Sequence, residues 1–129
     1  MSRIQRFEDL EAWKIAREVT REIYRVSKSG TFARDFGLRD QICRSSVSTM
    51  SNIAEGFERD GDKEFVNFLS IAKGSAGETR SLLYVALDQE YISENEFNLI
   101  SAKAIENSRV ISGLSSYLRQ SDLKGRKFK

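Results

Sequence analysis

The side chains able to do covalent or metal chemistry are few and scattered. The chain has no histidine, which removes the commonest general base, the Ser/His and Cys/His nucleophile pairs, and most zinc and di-iron sites. Cys43 is the single cysteine, so no intrachain disulfide can form, and it reads as a small packed hydrophobe in a reducing compartment. Glu55, Glu64 and Glu78 are carboxylates of the kind that bind magnesium or manganese. No Glu-x-x-His pair accompanies them, and each reads more simply as surface. Gly74-Ser-Ala-Gly77 lies within a helical pattern and follows no strand, so it is not a phosphate-cradling turn, and neither a P-loop nor a dinucleotide fingerprint occurs. Nothing aligns a lysine with a particular serine for Ser/Lys catalysis. The expectation is a non-enzyme with no catalytic residue, metal or cofactor.

The chemistry that the spacing does support is electrostatic. At about 100° per residue, Lys14, Arg17, Arg21, Arg25 and Lys28 share one narrow arc of a helix, opposite its apolar seam. Lys124, Arg126, Lys127 and Lys129 make a second basic group in the tail. Two readings stand open. Glu11, Glu18 and Glu22 run beside the stripe and can pair with it at i,i+3 or i,i+4, giving a solvated mixed-charge face. Alternatively the stripe and the tail contact phosphates, and assembly of several copies multiplies a modest charge into a broad field.

Other outer positions read as contact surface. Ser70, Gly74, Gly77 and Ser81 recur at steps of four, three and four on the outside of the third helix. Two glycines inside a helix cost roughly 1 kcal/mol each against alanine, so close approach of a second subunit's helix, or of an RNA backbone, is one reading and tolerated surface glycines the other. Trp13, Thr20 and Tyr24 edge the basic stripe, as subunit-interface residues or ordinary boundary packing. Gln41, Arg44, Ser48, Asn52, Glu55 and Arg59 form a polar stripe on the second helix, either hydrated or lining a shared channel.

Four helices must position these groups. The chain has no proline, and helix breakers gather at Ser27 to Gly37, Asp60 to Asp62 and Glu90 to Ser93. The first helix, about 8–28, places Ala12, Ala16, Val19, Ile23 and Val26 on a seam. The second, about 38–59, does so with Cys43, Val47, Met50, Ala54 and Phe57, flanked by Ile42 and Ile53. The third, about 63–89, follows an expected Asp62 N-cap and repeats the spacing with Phe65, Leu69, Ala72, Ala76, Thr79, Leu83 and Ala86. The fourth, about 94–120, opens on the capping-box pair Ser93 and Glu96 and carries Phe97, Ile100, Ala104, Asn107, Ile111, Leu114 and Leu118. Asn107 interrupts that seam, as a buried amide fixing register or as a partly solvated one. Phe32 and Phe36 are expected to tuck the longest loop against the bundle end, and the basic tail covers 123–129.

Long helices on short turns pack best against their sequence neighbours, so the expected fold is an all-α, antiparallel up-down-up-down four-helix bundle. At 129 residues, with 40% hydrophobic and 31% charged side chains, one domain covering 1–129 buries a core unaided. No apolar run approaches the roughly 20 residues that cross a bilayer, and Met1 to Arg6 lacks a signal peptide's apolar stretch, so the expected location is the cytoplasm, away from membranes. A net charge of +2 is too small to announce a nucleic-acid binder, which leaves the distribution of charge to carry that argument.

The wording of the first three helices goes beyond periodicity. Phe7 to Lys14 (FEDLEAWK), Phe36 to Ile42 (FGLRDQI), Val47 to Gly56 (VSTMSNIAEG) and Phe68 to Ser75 (FLSIAKGS) resemble the four-helix-bundle family of 23S ribosomal RNA intervening-sequence proteins. The resemblance covers about Phe7 to Tyr91. It implies up-down bundles assembled as homopentameric rings, encoded within bacterial 23S rRNA genes or elsewhere. It also implies similarity to the accessory variability protein of diversity-generating retroelements, a pentamer that associates with a reverse transcriptase and nucleic acid. It brings no catalytic residues. Two departures stand out: the family usually has proline where Met50 stands, and often another in the loop held here by Thr31 to Asp35. Asn52 to Gly56 would then hold the turn into the third helix or a subunit contact.

Together these readings give an oligomeric protein that binds structured RNA or other nucleic acid through basic outer faces. The alternative is a protein-interaction scaffold or accessory subunit with no nucleic-acid contact.

Overall fold

The computed structural model describes residues 4–125, with side chains described as far as residue 121. Four helices make up the architecture: α1 (Glu11–Ser27), α2 (Phe36–Glu58), α3 (Asp62–Asp88) and α4 (Glu94–Gly125). Short 3₁₀ turns at Phe7–Asp9 and Gly30–Arg34 precede α1 and α2. Each helix packs on its sequence neighbours, and α4 closes the ring against α1. Contacts between Arg25 and Glu96 at one end and Asn107 and Ala12 nearer the other show α1 and α4 running in opposite directions. The expected antiparallel bundle is the observed one.

The helix ends follow from local chemistry. The Ser93 hydroxyl accepts from the Glu96 N–H at 3.1 Å, and the Glu96 carboxylate accepts from the Ser93 N–H at 2.9 Å, completing the capping box. The Asp35 carboxylate accepts from the Leu38 N–H at 3.1 Å, so α2 starts at Phe36, two residues earlier than expected. This leaves Phe36 63% exposed under the Arg39 guanidinium, whereas Phe32 is fully buried and stacks on Tyr91 at 5.2 Å. Gly61 caps α3 with φ +92°, a conformation that favours glycine, and Asp62 is the first helical residue instead of the cap. α4 continues at least five residues past the expected end, as far as Gly125, the last described residue. Lys124 therefore belongs to α4, while Arg126, Lys127 and Lys129 lie outside the described residues.

The seams of α1 and α3 are buried as expected, and so is that of α4 except at Leu114, which is half-buried beside a buried Ser115. That of α2 is not. Its inner face is Leu38, Ile42, Ser45, Ser46, Thr49, Ile53 and Gly56, whereas Cys43, Met50, Ala54 and Phe57 are only half-buried and Val47 is exposed. Serine and threonine can replace aliphatics here because they are satisfied locally. The Ser45, Ser46 and Thr49 hydroxyls donate to carbonyls one turn back on α2, at 2.9–3.1 Å. Gly56 is buried for a steric reason: a Cβ there would lie 2.7 Å from Phe68 Cβ and 2.9 Å from Phe65 Cδ1.

These substitutions divide the interior into three levels. Ile23, Phe32, Ile42, Leu83 and Ile100 anchor one apolar cluster, and Ile53, Phe65, Leu69 and Ile111 anchor the other. Between them lies a polar waist. Ser45 and Thr79 share a 2.7 Å hydrogen bond, Thr20 donates to Ala16 O and Ser46 O, and the buried Asn107 amide donates to Ala12 O at 2.9 Å. All four helices line a void of about 10 Å³ there, with Ser46, Thr49, Thr79 and Asn107 among its walls, room for about one water molecule at most.

Candidate nucleic-acid interface

Lys14, Arg17, Arg21, Arg25 and Lys28 are all exposed on the outer face of α1. Two of the acidic residues beside them are engaged, one by α4 and one by the stripe itself. Glu18 pairs with Lys103 of α4 at 3.3 Å, and Glu22 holds Arg25 at 2.7 Å, with Glu96 of α4 joining at 3.5 Å. Arg25 is thereby held above its ordinary pKa, first by the hydrogen bond it donates to Glu22 and then by that carboxylate's charge. Among the described residues, Lys14, Arg17, Arg21 and Lys28 make no ion pair. The stripe thus splits into one neutralised member and four uncompensated ones.

Its other flank, toward α2, is aromatic. Trp13 is half-buried, edge-on to Phe7 at 5.2 Å, with the Arg17 guanidinium 5.7 Å from its ring centre. Tyr24 is 41% exposed. Thr20 differs: it is buried in this chain's own α1–α2 contact, where its hydroxyl donates to two backbone carbonyls. Helical spacing puts it at the edge with the aromatics, but its small side chain lets α2 close over it.

Between α1 and α2 lies an open groove of about 610 Å³ that sequence reasoning did not anticipate. Tyr24, Cys43 and Val47 supply its apolar surface, and Lys28, Arg39 and Arg44 its charged rim, with Asp40 the one carboxylate. Arg39 is held in place, donating to Ala33 O at 2.9 Å and lying 3.5 Å from Asp40. Cys43 rests against the Ser27 hydroxyl at 3.4 Å. The missed signal was Val47 on the presumed seam: an aliphatic there is part of a wall, not of the core.

On the opposite side of the bundle, Ser70, Gly74 and Ser81 are exposed and Gly77 half-buried, and a Cβ at either glycine would meet nothing within 4 Å. Packing inside this chain gives no reason for the two glycines. Ile71, Tyr84 and Val85 are exposed on the same helix. The polar stripe of α2 divides in two. Ser48 bonds Ser75 of α3 at 2.9 Å, Asn52 donates back to Ser48, and Gln41 donates to Glu78. Arg59 binds Glu55 at 2.8 Å and Glu64 at 3.3 Å, so all three carboxylates weighed as metal ligands have hydrogen-bonded partners. No helix among the described residues is long and apolar enough to cross a membrane.

The sequence model of the 23S rRNA-intervening sequence proteins matches residues 8–113. The chain belongs to that family. Its match spans α1, α2, α3 and most of α4, and so includes the whole basic stripe and both walls of the groove. A crystal structure of a protein of unknown function from the S23 ribosomal protein family, from Bacteroides thetaiotaomicron, has the same fold. The TM-score is 0.73 at 24% identity, over 81% of this chain and 97% of that one. A comparison with curated proteins found no match.

Proposed function

We propose that this intervening-sequence protein is a non-enzymatic, oligomeric binding protein that associates with structured RNA through the basic outer face of α1. The observation that carries the reading is the divided stripe: with Glu18 paired to Lys103 of α4 and Glu22 spent on Arg25, Lys14, Arg17, Arg21 and Lys28 keep their charge for an external anion. Phosphates are the natural partners of such a row, and a row of cations reads backbone and shape with little base identity. The family's association with 23S rRNA genes supports RNA as the source of those phosphates.

Assembly belongs to the same proposal. A homopentameric ring, which the family resemblance implies, would repeat the stripe around its circumference and multiply a net charge of +2. The α3 face with Gly74 and Gly77 suits a close helix contact between copies. In light scattering, Gly74→Leu/Gly77→Leu is expected to lower the mass, and an unchanged mass would remove α3 from the contact.

The deciding experiment is an RNA-binding titration across salt. Contact with roughly six to ten phosphates predicts an affinity loss of about 10³- to 10⁵-fold between about 50 and 200 mM salt. Arg17→Glu/Arg21→Glu should weaken binding and flatten the slope by about one for each phosphate no longer neutralised. A flat salt response would reject the electrostatic account. The second reading, a scaffold for a protein partner, is favoured by the exposed Ile71, Tyr84 and Val85 on α3. Its signature is a defined complex that survives nuclease treatment and ignores the Arg17/Arg21 reversal.

A further inference from the structure

The geometry points to the α1–α2 groove as a subsite for an unpaired nucleotide of the bound RNA, its base on the Tyr24 ring and its phosphate between Lys28 and Arg44. This rests on the reading of α1 as an RNA face and adds what the stripe alone lacks, a place for a base.

Three observations meet there. The groove, about 610 Å³, falls in the ~300–1,000 Å³ range of ligand pockets and so has room for one nucleotide without enclosing it. Its surface pairs a 41%-exposed tyrosine and Val47 with a cationic rim, the combination that single-stranded nucleic acid requires: a flat π-face for the base, positive charge for the backbone. The charges complement an anion. Asp40 lies by Arg39, while Lys28 and Arg44 make no ion pair among the described residues. Lys28 is also the last member of the α1 stripe, so a strand lying along the stripe reaches the groove without leaving positive surface. A stacked paired base is shielded by its neighbours, so the subsite selects a base that is bulged, looped or terminal.

The other large groove makes the contrast. It has the same volume and lies between Leu10, Phe57, Phe65 and Tyr117, but its cation, Arg59, is already taken by Glu55 and Glu64. An apolar ligand would suit it; a phosphate would not.

The test compares the full-length protein's affinity for a short single-stranded oligouridylate and for a blunt RNA duplex. Tyr24→Ala should weaken oligouridylate binding roughly 5- to 100-fold, leave duplex binding within about twofold, and be rescued by Tyr24→Phe, because stacking needs the ring and not the hydroxyl. Oligouridylate should also slow alkylation of Cys43, which lines the groove; the duplex should not. Unchanged oligouridylate affinity in Tyr24→Ala, an equal loss for the duplex, or a changed oligomer mass, which would return Tyr24 to a subunit contact, overturns the subsite. If the wild-type protein binds neither RNA, the α1 reading fails and takes the subsite with it. If Arg17→Glu/Arg21→Glu weakens both RNAs while Tyr24→Ala weakens neither, the α1 reading stands and only the subsite falls.

Discussion

Toward either end of the bundle the core is hydrocarbon, with Ile23, Ile42, Leu83 and Ile100 in one cluster and Ile53, Leu69 and Ile111 in the other, all fully buried. Between them the helices meet through Thr20, Ser45, Ser46, Thr49, Thr79 and Asn107. The two kinds of layer do different jobs. Apolar burial is roughly proportional to area and indifferent to direction, so it drives the helices together without choosing among similar registers. The hydrogen bonds that cross between helices at the waist, Ser45 with Thr79, Thr20 to Ser46 O and Asn107 to Ala12 O, form in one register only, and a buried amide left open costs about 1–3 kcal/mol. The ends hold the bundle shut, and the middle says how it is aligned.

That division can be broken most sharply at Asn107. Asn107→Asp places a carboxyl where the amide donates to Ala12 O. The protonated acid can make the same bond, but the carboxylate is buried and faces a carbonyl oxygen, so the folded-state pKa must rise above the ordinary ~3.9. The variant's stability should therefore be near wild type below about pH 4 and fall as pH rises through the raised pKa. By pH 7 the loss should reach about 4 kcal/mol, read by urea melts across pH. A pH-independent loss would mean that the site is wet. Next in size is Leu83→Ala in the apolar level, which should cost about 3 kcal/mol at every pH and leave the bundle in register.

A smaller effect isolates the waist's pairing. Ser45→Ala and Thr79→Ala should each cost about 1 kcal/mol, and the double variant less than their sum, because the 2.7 Å bond joins the two hydroxyls. Strict additivity in the double-mutant cycle would show the bond to be idle. Smallest is the edge of the apolar cluster, where Tyr91 stacks on Phe32 and donates to Asp35. That hydrogen bond, then burial and the Asp35 charge, hold the Tyr91 phenol above its ordinary pKa. Its contribution is present at neutral pH and is lost as pH rises through the raised value. In an alkaline absorbance titration Asp35→Asn should bring the Tyr91 ionisation down toward the ordinary phenol value.

The same contrast explains what was legible in the sequence. The seams of α1 and α3, and all but Leu114 in that of α4, announce themselves because their inward residues are mostly aliphatic or aromatic, and the Ser93–Glu96 pair marks the α4 start. Three of the seven inward residues of α2 carry hydroxyls, and apolar spacing alone turns that helix toward Cys43 and Val47, which wall a groove instead. Gly56 was visible only as part of a motif; its cause, the Phe65 and Phe68 side chains of α3, depends on how closely two helices approach. The basic stripe was legible from its arc, but not which of its charges would be spent, since that depends on Lys103 arriving from α4 to take Glu18 and on Glu96 joining Glu22 at Arg25. Arg39 and Arg44 join Lys28 only once α1 and α2 lie side by side.

The missing side chain at Gly56 also bears on the order of events during folding. It lets α2 and α3, joined only by the short turn from Arg59 to Gly61, close as a hairpin whose contacts are short in sequence and therefore quick to find. The bond from Asn107 to Ala12 spans 95 positions and joins the first helix to the last, so it is expected to form late. A contact expected late is thus the one that reports whether the assembled rods have met in their proper alignment.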